Sequence, residues 1–277
     1  MKISTSTLSY GPGGAQTGFA AYPDRHNAAL PAIIVCQEIF GLDEHIKDVT
    51  RRYAEAGYFA FAPDLYADHG KRPPAFADAR IEAVKLFMDK VPPGETRDPE
   101  KRAAHLAKLP PQEAKELEES LGALFGGADP TKYREKLAAT SAFLREENAL
   151  TKGQSIGSVG FCFGGGLSGV LAAVDAKLAG AIIYYGRSPD EEEVRRIACP
   201  VLGFYGELDP GITGTVPGLA ERMKRAGKSF EHYVFRGAYH AFFNDQRMMY
   251  NAEAARWSFA RALSFFAERL APDPRLR

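Results

Sequence analysis

Apolar residues in this chain fall into short unbroken runs, separated by longer stretches in which apolar and charged positions recur at helical spacing. Residues 32–36, 58–62, 155–161, 178–185, 201–205 and 230–235 read as strands, most of them apolar enough to be buried on both faces. Residues 44–56 read as a helix stopped by Gly57. A small-residue helix follows the glycine-rich turn after residue 161 and runs to about Ala176. Residues 247–270, with Trp257, Phe259, Leu263, Phe265 and Phe266 among the apolar positions, read as a long closing helix. Strands alternating with helices predict an α/β fold with a mostly parallel sheet covered on both faces. The first two dozen residues mix polar and apolar side chains and predict an antiparallel edge hairpin that turns around Gly11 to Gly14. Residues 67–150 break the rhythm: they are rich in Lys, Glu, Ala and Pro, contain no convincing strand, and carry helical patterns near 75–90, 111–125 and 130–147. The expectation is one domain over 1–277 with 67–150 as a helical excursion, either a cap over a site or a surface elaboration.

Composition narrows the function. With 277 residues, 45% hydrophobic and 25% charged, a single core can bury most of its apolar surface. Lys plus Arg and Asp plus Glu number 35 each, which leaves no net charge to attract nucleic acid or an anionic membrane, and neither is expected as a partner. No run approaches the roughly 20 apolar residues that span a bilayer, and the first residues lack the apolar stretch of a secretory leader. The three cysteines, Cys36, Cys162 and Cys199, do not form a disulfide framework and fit a reducing compartment, so a cytoplasmic protein is expected. The His, Asp and Glu residues show no metal-ligand spacing, and neither metal nor cofactor is expected.

The most informative stretch is Gly160-Phe161-Cys162-Phe163-Gly164-Gly165-Gly166, which follows a strand and precedes a helix. That is the setting of the nucleophile elbow, G-x-S-x-G, with cysteine in the serine position. A strand-to-helix turn this sharp strains the central residue and demands small residues two places on either side. It also lifts the sulfur toward a helix N-terminus, where the dipole favours a thiolate. The competing readings are weaker. Phosphate-cradling patterns are absent from this turn, and a buried structural cysteine, the default for a lone cysteine, is outweighed by the strand-to-helix context.

A nucleophile here needs an acid and then a histidine downstream. Only His232 and His240 follow Cys162, and His232 lies inside a strand run. His240 lies in a turn between the last strand and the last helix, where such folds place chemistry. After the fifth strand, Glu207 and Asp209 are both available, and Asp209 is favoured because Pro210 and Gly211 form a tight turn behind it.

At this point the chain resembles the dienelactone hydrolase family of α/β-hydrolases. The resemblance runs through Gln37-Glu38-Ile39-Phe40-Gly41, Gly57-Tyr58, Ala62-Pro63-Asp64-Leu65-Tyr66, the elbow, Tyr184-Tyr185-Gly186, Gly206 with Asp209, and Gly237-Ala238-Tyr239-His240. It covers the chain except roughly 67–150. It implies an α/β-hydrolase fold, a triad of Cys162, His240 and Asp209, and a glutamate, here Glu38, that helps form the thiolate. It further implies an oxyanion hole from the backbone N–H groups of Ile39 and Phe163. Tyr66, Tyr185, Phe242 and Asn244 are candidate pocket residues. The arginine that dienelactone-cleaving members place four residues after the histidine is Asn244 here, so the resemblance implies a small ester or lactone substrate without specifying dienelactone. The expected assembly is a monomer or small homo-oligomer. Acyl transfer or thiol-dependent peptide cleavage on the same triad, and a catalytically silent binding protein, are the competing functions.

Overall fold

The two-sided burial expected of the central strands is met at Ala32–Cys36, where every residue is buried. Ile34 and Cys36 point into one apolar cluster and Ile33 and Val35 into another. The computed structural model describes residues 2–92, 94–96, 98–126 and 129–270. Among them one sheet contains β1 Ile3–Tyr10, β2 Gln16–Pro23, β3 Ala32–Cys36, β4 Phe59–Pro63, β5 Ile156–Phe161, β6 Gly180–Tyr184, β7 Val201–Gly206 and β8 Phe230–Phe235. Their order is β1-β2-β4-β3-β5-β6-β7-β8. The edge hairpin β1–β2 and the β2–β4 pair are antiparallel, and every other pair is parallel. Parallel pairing sets Cys36 beside Gly160 and Phe161 beside Tyr184, so the loops leaving β3, β5 and β6 emerge together at the carboxyl ends.

The helices are α1 Glu44–Glu55, α2 Asp78–Lys90, α3 Pro99–Leu106, α4 Pro111–Gly126, α5 Arg134–Ala142, α6 Phe163–Val174, α7 Glu191–Arg196, α8 Pro210–Thr213, α9 Val216–Arg225 and α10 Ala252–Leu270. Asp43 caps α1 by accepting from the Ile46 N–H at 3.0 Å. Gly57 follows the helix at φ 99°. The last helix starts five residues later than its apolar pattern suggested, at Ala252 rather than 247. Asn251 is the reason, since its side chain accepts from the Ala254 N–H at 3.1 Å and caps the helix there. The pattern over 130–147 divides into a 3₁₀ turn, α5 and a π turn. Helix α3 opens on Asp98-Pro99, a cap and first-turn proline that the apolar periodicity passed over. No helix among the described residues is long and apolar enough to cross a membrane.

The helical segment packs closely on the sheet. Its Leu117, Leu121, Leu124, Leu137 and Leu144 share an apolar cluster with Ile34 and Phe61. A buried ion pair adds a directional tie, because Lys85 of α2 reaches the α1 cap Asp43 at 2.7 Å and Glu82 at 2.7 Å. Burial disfavours the Lys85 charge, but Asp43 and Glu82 outweigh it and raise its pKa. The ammonium also lies 5.5 Å from the Phe40 ring centroid, in the loop that leaves β3. Replacing Lys85 by Met strands a buried carboxylate and should cost about 3 kcal/mol in urea unfolding. A loss below about 1 kcal/mol would mean that apolar packing alone holds α2 in place.

Candidate active site

The elbow forms because two backbones meet with nothing between them. A Cβ on Gly160 would lie 1.7 Å from the Gly164 carbonyl oxygen, and one on Gly164 would lie 2.2 Å from the Cys36 carbonyl oxygen. Only glycine tolerates either approach. The turn they permit puts Cys162 at φ 56° and ψ −117°, immediately before α6. A non-glycine residue rarely takes a positive φ, and the strain costs on the order of 1–3 kcal/mol. Hydrogen bonds hold the turn: the Cys162 N–H donates to the Tyr184 carbonyl at 3.0 Å, and the Gly165 N–H donates to the Cys162 carbonyl at 3.0 Å. Among the described residues four non-glycines have positive φ, and three of them, Cys162, Tyr185 and Ala241, gather at this end of the sheet.

His240 follows β8 and is half-buried. Its Nδ1 meets Asp209 Oδ2 at 2.6 Å, and Asp209 stands just before α8. The opposite ring nitrogen, Nε2, is buried without a hydrogen-bond partner among the described residues. Burial works against the imidazolium, but the electrostatic pull of Cys162 and the bond to Asp209 outweigh it. They push His240 from 6.5 up to about 10. The rival residues lie elsewhere. Glu207 accepts from the Gly237 N–H at 2.8 Å and braces the loop before His240. His232 is exposed on β8 and stacks on Phe230. Cys36 and Cys199 are both buried, and burial pushes each thiol up to about 12.

Glu38 lies just past β3 and is almost wholly buried. Both of its oxygens are engaged by uncharged donors, the Tyr185 hydroxyl at 3.3 Å and the Asn244 side-chain amide at 2.8 Å. Asn244 oxygen in turn accepts from the Gln246 N–H at 3.0 Å, which orients the amide. Tyr185 lies with its ring centroid 5.1 Å from that of His240, so it touches the histidine as well as the buried carboxylate. Tyr66 donates to the Ile39 carbonyl at 2.8 Å and stacks on Phe76, fixing the peptide that joins Ile39 to Phe40.

Cys162 and His240 open into a cavity of about 400 Å³, walled also by Ile39, Phe163, Tyr185, Ile212, Phe125 and Pro130, with Arg102 and Arg187. Of the four expected pocket residues, only Tyr185 lines this cavity. Tyr66 is directed at the Ile39 carbonyl, Phe242 is packed against Tyr184, Tyr185 and Phe235, and Asn244 is engaged behind the wall by Glu38. Arg102, Phe125 and Pro130 come from the helical segment and carried no sequence signal. Arg187 had one, since it directly follows Tyr184-Tyr185-Gly186 at the end of β6. Among the described residues no group of three or more His, Cys, Asp or Glu side chains is placed to hold a metal ion.

Comparison with known proteins agrees with this geometry. The family model for the dienelactone hydrolase family matches residues 17–270. Two similar proteins are both named "Putative carboxymethylenebutenolidase". The one from Saccharolobus solfataricus is 34% identical, over 84% of this chain and 88% of its own. The one from Yersinia pestis is 30% identical, over 90% and 82%. A crystal structure of a "Putative Dienelactone Hydrolase" from Klebsiella pneumoniae is 26% identical and superimposes with a TM-score of 0.70, covering 97% of this chain and 100% of that one. With the family matched over nearly its whole length, and the sheet order and elbow in place, the chain belongs to the dienelactone hydrolase family and is an ester-hydrolysing enzyme of the α/β-hydrolase fold.

Proposed function

We propose that the chain hydrolyses a small carboxylic ester or lactone through a thioester on Cys162, with His240 as acid and base and Asp209 holding the ring. One observation carries the reading. Cys162, strained at the head of α6, shares a cavity with a histidine that is itself bonded to Asp209 at 2.6 Å. The oxyanion donors in this reading are the backbone N–H groups of Phe163 and Ile39, and the Gly41 N–H, which donates to the Glu38 carbonyl at 3.1 Å, holds the peptide that carries the second. The helical segment acts as a cap, since Arg102, Phe125 and Pro130 close the cavity from that side.

The chemistry follows from the charges. The Cys162 thiolate, paired with the His240 imidazolium, attacks the carbonyl carbon, and the carbonyl electrons move to the oxygen held by the two N–H groups. As the intermediate collapses, His240 gives its proton to the departing alkoxide and a thioester remains. Forming that bond removes the Cys162 charge, which with Asp209 had held the imidazolium up. The neutral ring can then take a proton from water attacking the thioester, and collapse returns the thiolate. Asp209 fixes the Nδ1 proton throughout. Glu38, oriented by Tyr185 and Asn244, stands beside the site as the group that assists formation of the Cys162 thiolate.

In p-nitrophenyl acetate turnover, Cys162→Ala and His240→Ala should each lose about a thousandfold or more, and Asp209→Asn about a hundredfold or more. A quenched wild-type sample should show an acetyl adduct on the Cys162 peptide by mass spectrometry. Turnover that survives both alanine substitutions would remove the triad from this activity. The ring titration gives a separate check. In wild type His240 should titrate near 10, and in Cys162→Ala it should fall toward 6.5, because the neighbouring negative charge is gone. An NMR titration in which the substitution leaves His240 unmoved would break the proposed pairing.

A further inference from the structure

We infer that the cavity in front of Cys162 is built for acyl groups without charge and selects against esters that carry a carboxylate there. The inference rests on the reading of Cys162 and His240 given above and narrows its substrate class. The walls are largely apolar, with Ile39, Phe125, Pro130, Phe163 and Ile212 around about 400 Å³. Among the described residues the only permanent cations lining it are Arg102 and Arg187, and each guanidinium already holds a carboxylate.

Arg102 of α3 grips Glu118 of α4 through Nε and Nη2, both at 3.0 Å, and Nη1 donates to the Thr96 carbonyl at 3.1 Å. Arg187 donates through Nη2 to both oxygens of Glu193, at 2.7 and 2.9 Å, and through Nη1 to the Ser188 carbonyl at 3.1 Å. Glu193 is itself fixed, since it is buried and accepts from the Asp190 N–H in the capping box of α7. The Nε–Nη2 fork of Arg102 is filled by Glu118, and Arg187 uses Nη2 for both oxygens of Glu193, so each guanidinium charge is already paired with a carboxylate.

The charges behind the wall act in the same direction. Glu38 is held by uncharged donors, Tyr185 and Asn244, and among the described residues no cation is paired with it. Asp209 adds a second carboxylate behind His240. With the thiolate and imidazolium offsetting each other and the two arginines matched by Glu118 and Glu193, no unpaired cation among the described residues faces the substrate. An anionic acyl group entering this space would give up its hydration without gaining an unpaired cation, which is unfavourable. A neutral acyl chain gains the apolar wall instead.

Two alkylating reagents of nearly equal size and different charge test this without requiring turnover. Iodoacetamide and iodoacetate are reacted with the protein, and the rate at the Cys162 peptide is followed by mass spectrometry. The ratio of the two rates is divided by the same ratio for N-acetylcysteine. The neutral reagent should be favoured about tenfold over that reference. Glu118→Gln frees the Arg102 charge while keeping its shape and should move the ratio several-fold toward iodoacetate. Glu119→Gln removes the same charge from the same helix, beside Arg80 rather than Arg102, and should leave the ratio within about twofold. Iodoacetate reacting as readily as at the free thiol, or Glu118→Gln behaving like Glu119→Gln, would overturn the inference. In parallel, kcat/KM for 4-nitrophenyl butyrate should exceed that for mono-4-nitrophenyl succinate about tenfold in wild type, with the gap narrowing in Glu118→Gln. Inert esters combined with the expected alkylation ratio would remove the hydrolase reading and leave the charge preference standing.

Discussion

The closest backbone contact in this site is the one on which the rest depends. Gly160 on β5 faces the Gly164 carbonyl, and Gly164 faces the carbonyls of Cys36 and Gln37 at the end of β3. With no side chain at either position, the N-terminus of α6 presses directly onto two neighbouring strands. The chain between the two glycines must then turn within three residues, which places Cys162 in a conformation that an isolated cysteine would avoid. Burial of α6 along nearly its whole length offsets that strain. The same contact sets the position of the loop leaving β3, so Glu38 and Ile39 are located by the packing that locates the sulfur.

Charge at this end of the sheet is governed by pairing more than by number. The histidine is drawn cationic by two acidic neighbours, Cys162 and Asp209, in spite of its burial. Glu38 is oriented by a phenol and an amide, both uncharged. The two guanidiniums on the cavity wall are each matched by a carboxylate from the neighbouring helix or loop. A chain with 35 basic and 35 acidic residues is neutral overall, and at the proposed site the two wall arginines are likewise matched by carboxylates.

The helical segment contributes to the core and to the site at once. Its leucines fill the apolar cluster on one face of the sheet, and Lys85 ties it to the cap of α1 beside the loop that carries Ile39. Tyr133, at the start of α5, meets Phe163 edge-on at 5.7 Å. Side chains from the segment therefore pack against the Phe40 and Phe163 rings, and Arg102, Phe125 and Pro130 make the cavity volume depend on how that segment packs.

The amino-acid sequence by itself determined the strands, the edge hairpin and the elbow with Cys162, because each is marked by neighbouring residues, and the alternation of strands with helices implied the parallel arrangement. Unbroken apolar runs buried on both faces, a glycine two residues either side of the nucleophile, and a turn before a helix are all written within a few neighbouring positions. The preference for His240 over His232 and for Asp209 over Glu207 was legible for a similar reason, since strand ends and tight turns are local features. Tertiary structure alone decided the cavity wall and its charge. Asn244 meets Glu38 across 206 positions and Tyr66 meets Ile39 across 27, so two residues expected in the pocket became supports behind it. Arg102 and Glu118 are 16 positions apart on separate helices, and nothing in either helix marks a cavity in front of them. Whether a side chain lines a pocket, braces a neighbour or neutralises a charge depends on the packing of distant segments, and those contacts leave no period in the chain.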